Sequence, residues 1–87
     1  MTSDLDKQFK EAFEKASATE QSSFPPDILL RLYAYYKQAT KGDNFSFNAI
    51  EQDYRSAFKF NAWIQLKGMS EEEAKKEYIK LVNSILK

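Results

Sequence analysis

In this chain of 87 residues, the sequence PPDILLRLYAYYKQATKG, residues 25–42, gives the clearest indication of the fold. Proline suits the first turn of a helix, where its missing N–H has no helical partner, and glycine is favoured just after a helix end. We therefore predict a helix from Pro25 to about Lys41, ended by Gly42. Apolar side chains cover much of its circumference: Ile28, Leu29, Leu30, Leu32, Tyr33, Tyr35 and Tyr36. Such a helix packs against more than one neighbour, so we expect it at the centre of the fold.

Two further helices are predicted towards the ends of the chain. Residues 3–16 carry apolar side chains at helical intervals: Leu5, Phe9, Ala12, Phe13 and Ala16. Ser70, followed by three glutamates, is typical of a helix start, because the hydroxyl caps the first turn and acidic groups suit its positive end. An apolar stripe follows at Ala74, Tyr78, Leu81, Val82, Ile85 and Leu86. Residues 17–23, which are small and polar, are expected to form a loop.

A third helix is predicted to begin between Ile50 and Arg55 and to end near Lys67, because Gly68 stops it. Its spacing places Phe60, Trp63 and Ile64 on one core face and points Phe58 away from them. Residues 43–49 combine turn residues with two phenylalanines, so we expect an ordered loop with aromatic anchors. Four helices without a convincing strand predict an all-α helical bundle, and the length favours a single domain over residues 1–87.

The composition excludes several kinds of chemistry. The chain has no cysteine and no histidine, which rules out disulfides and thiol catalysis and removes the usual general base and a common metal ligand. It also lacks a glycine-rich phosphate loop and a serine nucleophile elbow. We therefore expect a protein that is not an enzyme and that needs no cofactor and no metal.

Charge and hydropathy narrow the choice of partners. The 13 basic and 13 acidic residues balance, whereas nucleic-acid binders usually carry a basic excess. No apolar run reaches the length of a membrane span, and the first residues do not resemble a signal peptide. We therefore expect a cytoplasmic monomer that binds no nucleic acid and does not insert stably into membranes.

Tyr33, Tyr36 and Lys37 share one face of the predicted central helix, because they are spaced at i, i+3 and i+4. A phenol ring beside an ammonium group can receive a flat, phosphorylated ligand, since the ring stacks on a base and the lysine meets a phosphate. From spacing alone, the plainer interpretation is favoured, in which the tyrosines edge the core and the lysine lies at the surface. The same holds for Lys59 as a surface lysine and Tyr78 as a core tyrosine.

Two longer sequence motifs are more specific indicators of a protein family than these single residues. They are Y-x-x-Y-K-Q-A-T-x-G-D at residues 33–43 and W-x-x-L-K-G-x-S at residues 63–70. Together with Lys59 and Tyr78, they resemble the acyl-CoA-binding protein family in order and spacing across almost the whole chain. Ala57 and Phe60 depart from the lysine and tryptophan usual in that family.

The resemblance implies an up-down-down-up four-helix bundle that binds medium- to long-chain fatty acyl-CoA esters and carries them inside the cell without catalysis. It implies that Tyr36 stacks on adenine and that Tyr33, Lys37 and Lys59 hold the 3′-phosphate. Tyr78 would be a further contact to the 3′-phosphoribose. The acyl chain is expected in an apolar groove along the second helix, with Phe13, Ile28 and Leu29 as candidates. The alternative is a helical protein-interaction module whose aromatic face docks a partner.

Overall fold

Four α-helices account for most of the chain. The computed structural model describes residues 4–20, 23–44 and 54–86, with side chains from residue 57 onward in the last range. The helices are α1 (Asp4–Ala18), α2 (Pro26–Lys41), α3 (Tyr54–Ile64) and α4 (Glu71–Ile85). No strand occurs in these described ranges, so the predicted all-α bundle is confirmed. Most of the predicted loop, residues 45–49, lies outside them.

Helix α2 is the central element, as its apolar circumference predicted. It packs against both α3 and α4, and α1 packs against α4. A buried cluster joins α1, α2 and α4, and its members are Ala12, Ala16, Leu32, Tyr78 and Val82. The two alanines carry small side chains, so α1 can lie close to its neighbours at these positions. An ion pair between Lys75 and Asp6, with 2.6 Å between Nζ and Oδ1, adds a surface link from α4 to α1.

The helix ends follow local rules that were visible in the sequence. The Ser70 hydroxyl accepts a hydrogen bond from the Glu73 N–H at 3.0 Å, which confirms the predicted cap. Gly42 has φ +59°, a conformation that disfavours side chains, and its N–H donates to the Gln38 carbonyl. Helix α1 runs to Ala18, two residues beyond the expected end, and stops where the Thr19 hydroxyl donates to the Lys15 carbonyl.

Helix α3 ends earlier than predicted, at Ile64 instead of near Lys67. The N–H groups of Leu66 and Lys67 bond to carbonyls three residues back, so the chain tightens into a turn before Gly68. The prediction that Ile64 belongs to the core face was wrong, because its side chain is 37% exposed beside a cleft between α2 and α3. Its neighbour Trp63 is 1% exposed.

A buried hydrogen-bond network joins α2, α3 and the turn before α4. The Trp63 indole N–H donates to Gln38 Oε1 at 3.1 Å and lies 3.2 Å from the Gly42 carbonyl oxygen. Gln38, which is 0% exposed, donates from Nε2 to the Asp43 carboxylate at 2.8 Å and to the Met69 carbonyl at 2.7 Å. Both amide donors and the amide oxygen of Gln38 are thus satisfied.

The carboxylate of Asp43 extends this network to the backbone. It accepts a hydrogen bond from the Gly68 N–H at 3.1 Å. The bond from Gln38, followed by that from Gly68, holds the pKa of Asp43 below its ordinary value. The charged form of this side chain therefore helps to hold the turn between α3 and α4 against the end of α2.

Replacing Gln38 by leucine should destabilise the fold without adding bulk. The Met69 carbonyl loses a hydrogen-bond donor and the Trp63 N–H loses an acceptor, so the free energy of unfolding should fall by about 1–3 kcal/mol. Urea denaturation at neutral pH measures this change. Gln8→Leu, at an exposed position on α1, is the matched control and should stay within about 0.5 kcal/mol of wild type. Equal effects of the two substitutions would contradict the assigned role of the network.

Candidate functional site

A cleft of about 800 Å³ lies among the helices, and all four contribute side chains to it. This volume falls within the range of about 300–1,000 Å³ that is typical of ligand sites. Most of the side chains that line it are apolar or aromatic. Six of the residues predicted from sequence meet here: Phe13, Leu29, Tyr33, Tyr36, Lys59 and Tyr78. These six come from four different helices, so only the tertiary fold brings them together.

Two predicted residues do not line this cleft. Ile28 packs against the buried cluster of α1, α2 and α4 instead. Lys37 lies beside the cleft, because its Nζ is 5.6 Å from the centre of the Tyr33 ring and 5.8 Å from that of Trp63. Lys37 therefore lies close to the residues of the cleft, whereas Ile28 packs against the core.

The ring of Tyr33 lies near two ammonium groups. Lys59 Nζ is 5.5 Å from the ring centre, almost the same distance as Lys37 Nζ. Each lysine gains a cation–π contact, which at an exposed site contributes about 0.5–1 kcal/mol. Lys75 and Asp6 form an ion pair. Among the described residues, no carboxylate forms an ion pair with Lys37 or Lys59. The two ammonium groups bring positive charge to this end of the cleft, which favours an anion.

An aromatic cluster lies beside the cleft, and its members Phe13, Tyr36 and Tyr78 line the cleft wall. The Tyr36 ring stacks on Phe13 with centroids 4.8 Å apart and on Phe9 at 5.9 Å. Tyr78 meets Phe9 edge to face at 5.1 Å and lies 6.3 Å from Tyr36. Phe9 and Phe13 are one helical turn apart on α1, so this helix holds the Tyr36 ring in place. Tyr36 is half-buried and reaches the cleft.

Tyr78 lies deep in the site, with 3% of its surface exposed. Burial, with a smaller contribution from the neighbouring Tyr36, raises the pKa of Tyr78 to about 12. Its hydroxyl is therefore protonated throughout the physiological range and can donate a hydrogen bond. The sequence supported both a core tyrosine and a ligand contact, and the structure places the residue at the boundary between core and cleft.

Several cleft residues were not predicted from the sequence, among them Phe24, Pro26, Leu30 and Phe58. Phe24 did carry a signal. It precedes the N-cap residue Pro25, and Leu29 is the fourth residue of α2, which is the spacing of a hydrophobic staple. Both side chains line the same cleft. Phe58 was correctly expected to point away from the core face, and it is 58% exposed.

Comparison with known proteins identifies the family. The family model described as "Acyl CoA binding protein" matches residues 6–82. The chain belongs to this family. It is 45% identical over 75 residues to an acyl-CoA-binding protein of Saccharomyces cerevisiae, covering 84% of this chain and 86% of the relative. An acyl-CoA-binding protein homolog of Drosophila melanogaster is 39% identical, with 94% of each chain covered.

A solved structure shares the fold. The crystal structure of acyl-CoA-binding protein 2 from Oryza sativa superposes with a TM-score of 0.81 at 34% identity, covering 94% of this chain and 90% of that one. The four-helix bundle typical of the family is thereby confirmed. The two sequence strings that suggested the family, residues 33–43 and 63–70, contain all six residues of the hydrogen-bond network: Gln38, Gly42, Asp43, Trp63, Gly68 and Met69.

Among the described residues, no helix combines the length and apolar character needed to cross a membrane. The same residues include no group of three or more acidic, histidine or cysteine side chains arranged to hold a metal ion.

The raised pKa of Tyr78 can be observed directly. In a titration followed by tyrosinate absorbance, one of the five tyrosines should ionise near pH 12, above the ordinary value of about 10. Because the folded state holds this proton more tightly than the unfolded state, Tyr78 contributes stability below pH 10 that is lost as the pH rises towards 12. Tyr78→Phe should remove this late component. Its persistence in that variant would contradict the assignment.

Proposed function

We propose that this protein binds fatty acyl-CoA esters of medium to long chain and carries them without catalysis, as a cytoplasmic monomer. One observation carries the proposal: the ammonium groups of Lys37 and Lys59 lie 5.6 and 5.5 Å from the centre of the Tyr33 ring, beside an apolar cleft. Such a site suits a ligand with an anionic head and an apolar tail. The names of the relatives, which describe acyl-CoA binding, support the same ligand.

The head group of the ligand is assigned to the positively charged end of the cleft. The ammonium groups of Lys37 and Lys59 would hold the 3′-phosphate together with the Tyr33 hydroxyl, since hydrogen bonds between charged groups are stronger than those between neutral ones. Tyr36 would stack on adenine, and its ring is already held by Phe13. The protonated Tyr78 hydroxyl would donate to the phosphoribose.

The acyl chain is assigned to the apolar part of the same cleft. Phe13, Phe24 and Leu29 line this part from α1, the intervening segment and α2. Each methylene group that leaves water there contributes up to about 0.8 kcal/mol to binding. Affinity should therefore rise with chain length until the apolar surface is covered.

Titration calorimetry with three ligands tests the proposal. Palmitoyl-CoA should bind most tightly because it engages both parts of the cleft, whereas free CoA and palmitate each engage one part. Palmitoyl-CoA should also raise the melting temperature, because it binds the folded state alone. Tight binding of palmitate without binding of palmitoyl-CoA would refute the proposal. A module that only docks a protein partner would show no stabilisation by palmitoyl-CoA.

Removing Lys59 should weaken binding more than it weakens the fold. Lys59→Ala deletes an exposed side chain and one phosphate contact, so affinity for palmitoyl-CoA should drop about tenfold or more at low salt. Its dependence on salt should also decrease, because one ionic contact is gone. The measurements are calorimetry and thermal melting, and the melting temperature should stay close to that of wild type.

Lys76→Ala provides the matched control for this experiment. Lys76 is an exposed lysine on α4 and does not line the cleft, so its loss should leave the affinity unchanged. If Lys59→Ala and Lys76→Ala bind palmitoyl-CoA equally well, the assignment of the phosphate site is wrong.

A further inference from the structure

The contact that holds the Tyr36 ring in place also covers it. Phe13 stacks on Tyr36 with ring centroids 4.8 Å apart and an angle of 21° between the ring planes. The contacts of Tyr36 with Phe9, at 5.9 Å, and with Tyr78, at 6.3 Å, are longer. A third ring does not fit between Phe13 and Tyr36, because it would need about 3.5 Å of space on each of its sides.

Tyr36 can offer a ligand only one side of its ring. It packs against the buried cluster of α1, α2 and α4, as Phe9 does, so the core covers the other side. Phe13 is 39% exposed, whereas Tyr36 is half-buried, so Phe13 is the outer member of the stacked pair. Both rings line the cleft. The Phe13 ring therefore occupies the place in which a flat ligand would stack on Tyr36.

The Phe13 side chain can turn aside while α1 stays in place. A helix allows an aromatic side chain two χ1 conformations, and a change from one to the other carries the Phe13 ring away from Tyr36. Exposed side chains make such changes within picoseconds to nanoseconds. The backbone need not move with the ring, because Ala12 and Ala16 on either side of Phe13 belong to the buried cluster.

We propose that Phe13 is a gate for the base of the ligand: the Phe13 ring and adenine compete for the same face of Tyr36, and adenine stacks there only after Phe13 has turned aside. This inference rests on the proposed function, which assigns adenine to Tyr36. An aromatic stack of this kind is favoured about two- to tenfold over separated rings. Because the Tyr36 face is open for only the remaining fraction of the time, the affinity for the nucleotide is lowered by about the same factor.

Calorimetry with free CoA tests this inference, because free CoA carries the base and no acyl chain. Phe13→Ala removes the competing ring and should bind free CoA about two- to tenfold more tightly than wild type. Phe13→Leu removes the flat ring but keeps an apolar side chain, and its affinity should rise in the same direction. A residue that only supported the site would have the opposite effect, because its truncation weakens binding.

A ligand without the base and a matched control variant complete the experiment. Palmitoyl-phosphopantetheine lacks the nucleotide, so its affinity should not rise in either Phe13 variant. Ile64→Ala truncates an apolar side chain that is 37% exposed, close to the value of Phe13, and that does not line this cleft. This control should bind free CoA as wild type does. Circular dichroism establishes folding, and if one Phe13 variant does not fold, the other decides.

The outcomes separate the gate from the proposed function. If the Phe13 variants bind free CoA no more tightly than wild type, while wild type binds palmitoyl-CoA, the gate alone is refuted. Equal gains for free CoA and palmitoyl-phosphopantetheine would also overturn it, since Phe13 would then obstruct the cleft in general. If wild type binds neither free CoA nor palmitoyl-CoA, the proposed function fails, and the gate fails with it. A gain confined to free CoA supports both.

Discussion

The hydrogen bond from the Trp63 indole to the buried Gln38 amide is the constraint on which the arrangement of this protein depends. Both side chains are out of contact with water, so an unpaired donor or acceptor here would be costly. Gln38 also bonds to Met69 and Asp43, and so connects α2, α3 and the turn before α4. One amide side chain thus fixes the relative positions of three parts of the bundle.

The arrangement of two lysines around the Tyr33 ring follows from this hydrogen-bond network. Lys37 is next to Gln38 on α2, and Lys59 is one helical turn before Trp63 on α3. When Gln38 and Trp63 meet, the two lysines are brought to the same tyrosine ring. The regular geometry of each helix therefore links the buried contact to the positions of the lysines: Lys59 lies on the same face of α3 as Trp63, because residues four apart share one face, and Lys37 is adjacent to Gln38 on α2. Like charges near each other are tolerated there because their ammonium groups remain close to water.

The cleft exists because the helices do not close the bundle completely. Helix α1 packs on α4 and α3 packs on α2, and both α1 and α3 contribute to the cleft. Aromatic side chains on its walls, such as Phe13 and Phe58, expose apolar surface that a compact core would have covered. Exposed apolar surface in a concave site is what an apolar ligand needs, so the incomplete closure of the bundle is consistent with the proposed function.

Local signals in the sequence were enough to predict four helices, the capped start of α4, the end of α2 before Gly42 and the central position of α2, because capping, glycine conformation and apolar periodicity act within a few residues. The predicted ends of α1 and α3 were wrong by a few residues, because the final turn of a helix depends on the contacts around it. The sequence also indicated Tyr33, Lys37 and Lys59 through the family resemblance. The exposure of Ile64, the packing of Ile28 against the core and the positions of Phe24, Leu30 and Phe58 along the cleft depend on how the helices pack together. Periodicity gives the face of a helix on which a side chain lies, but which neighbour covers that face depends on contacts between residues far apart in the chain.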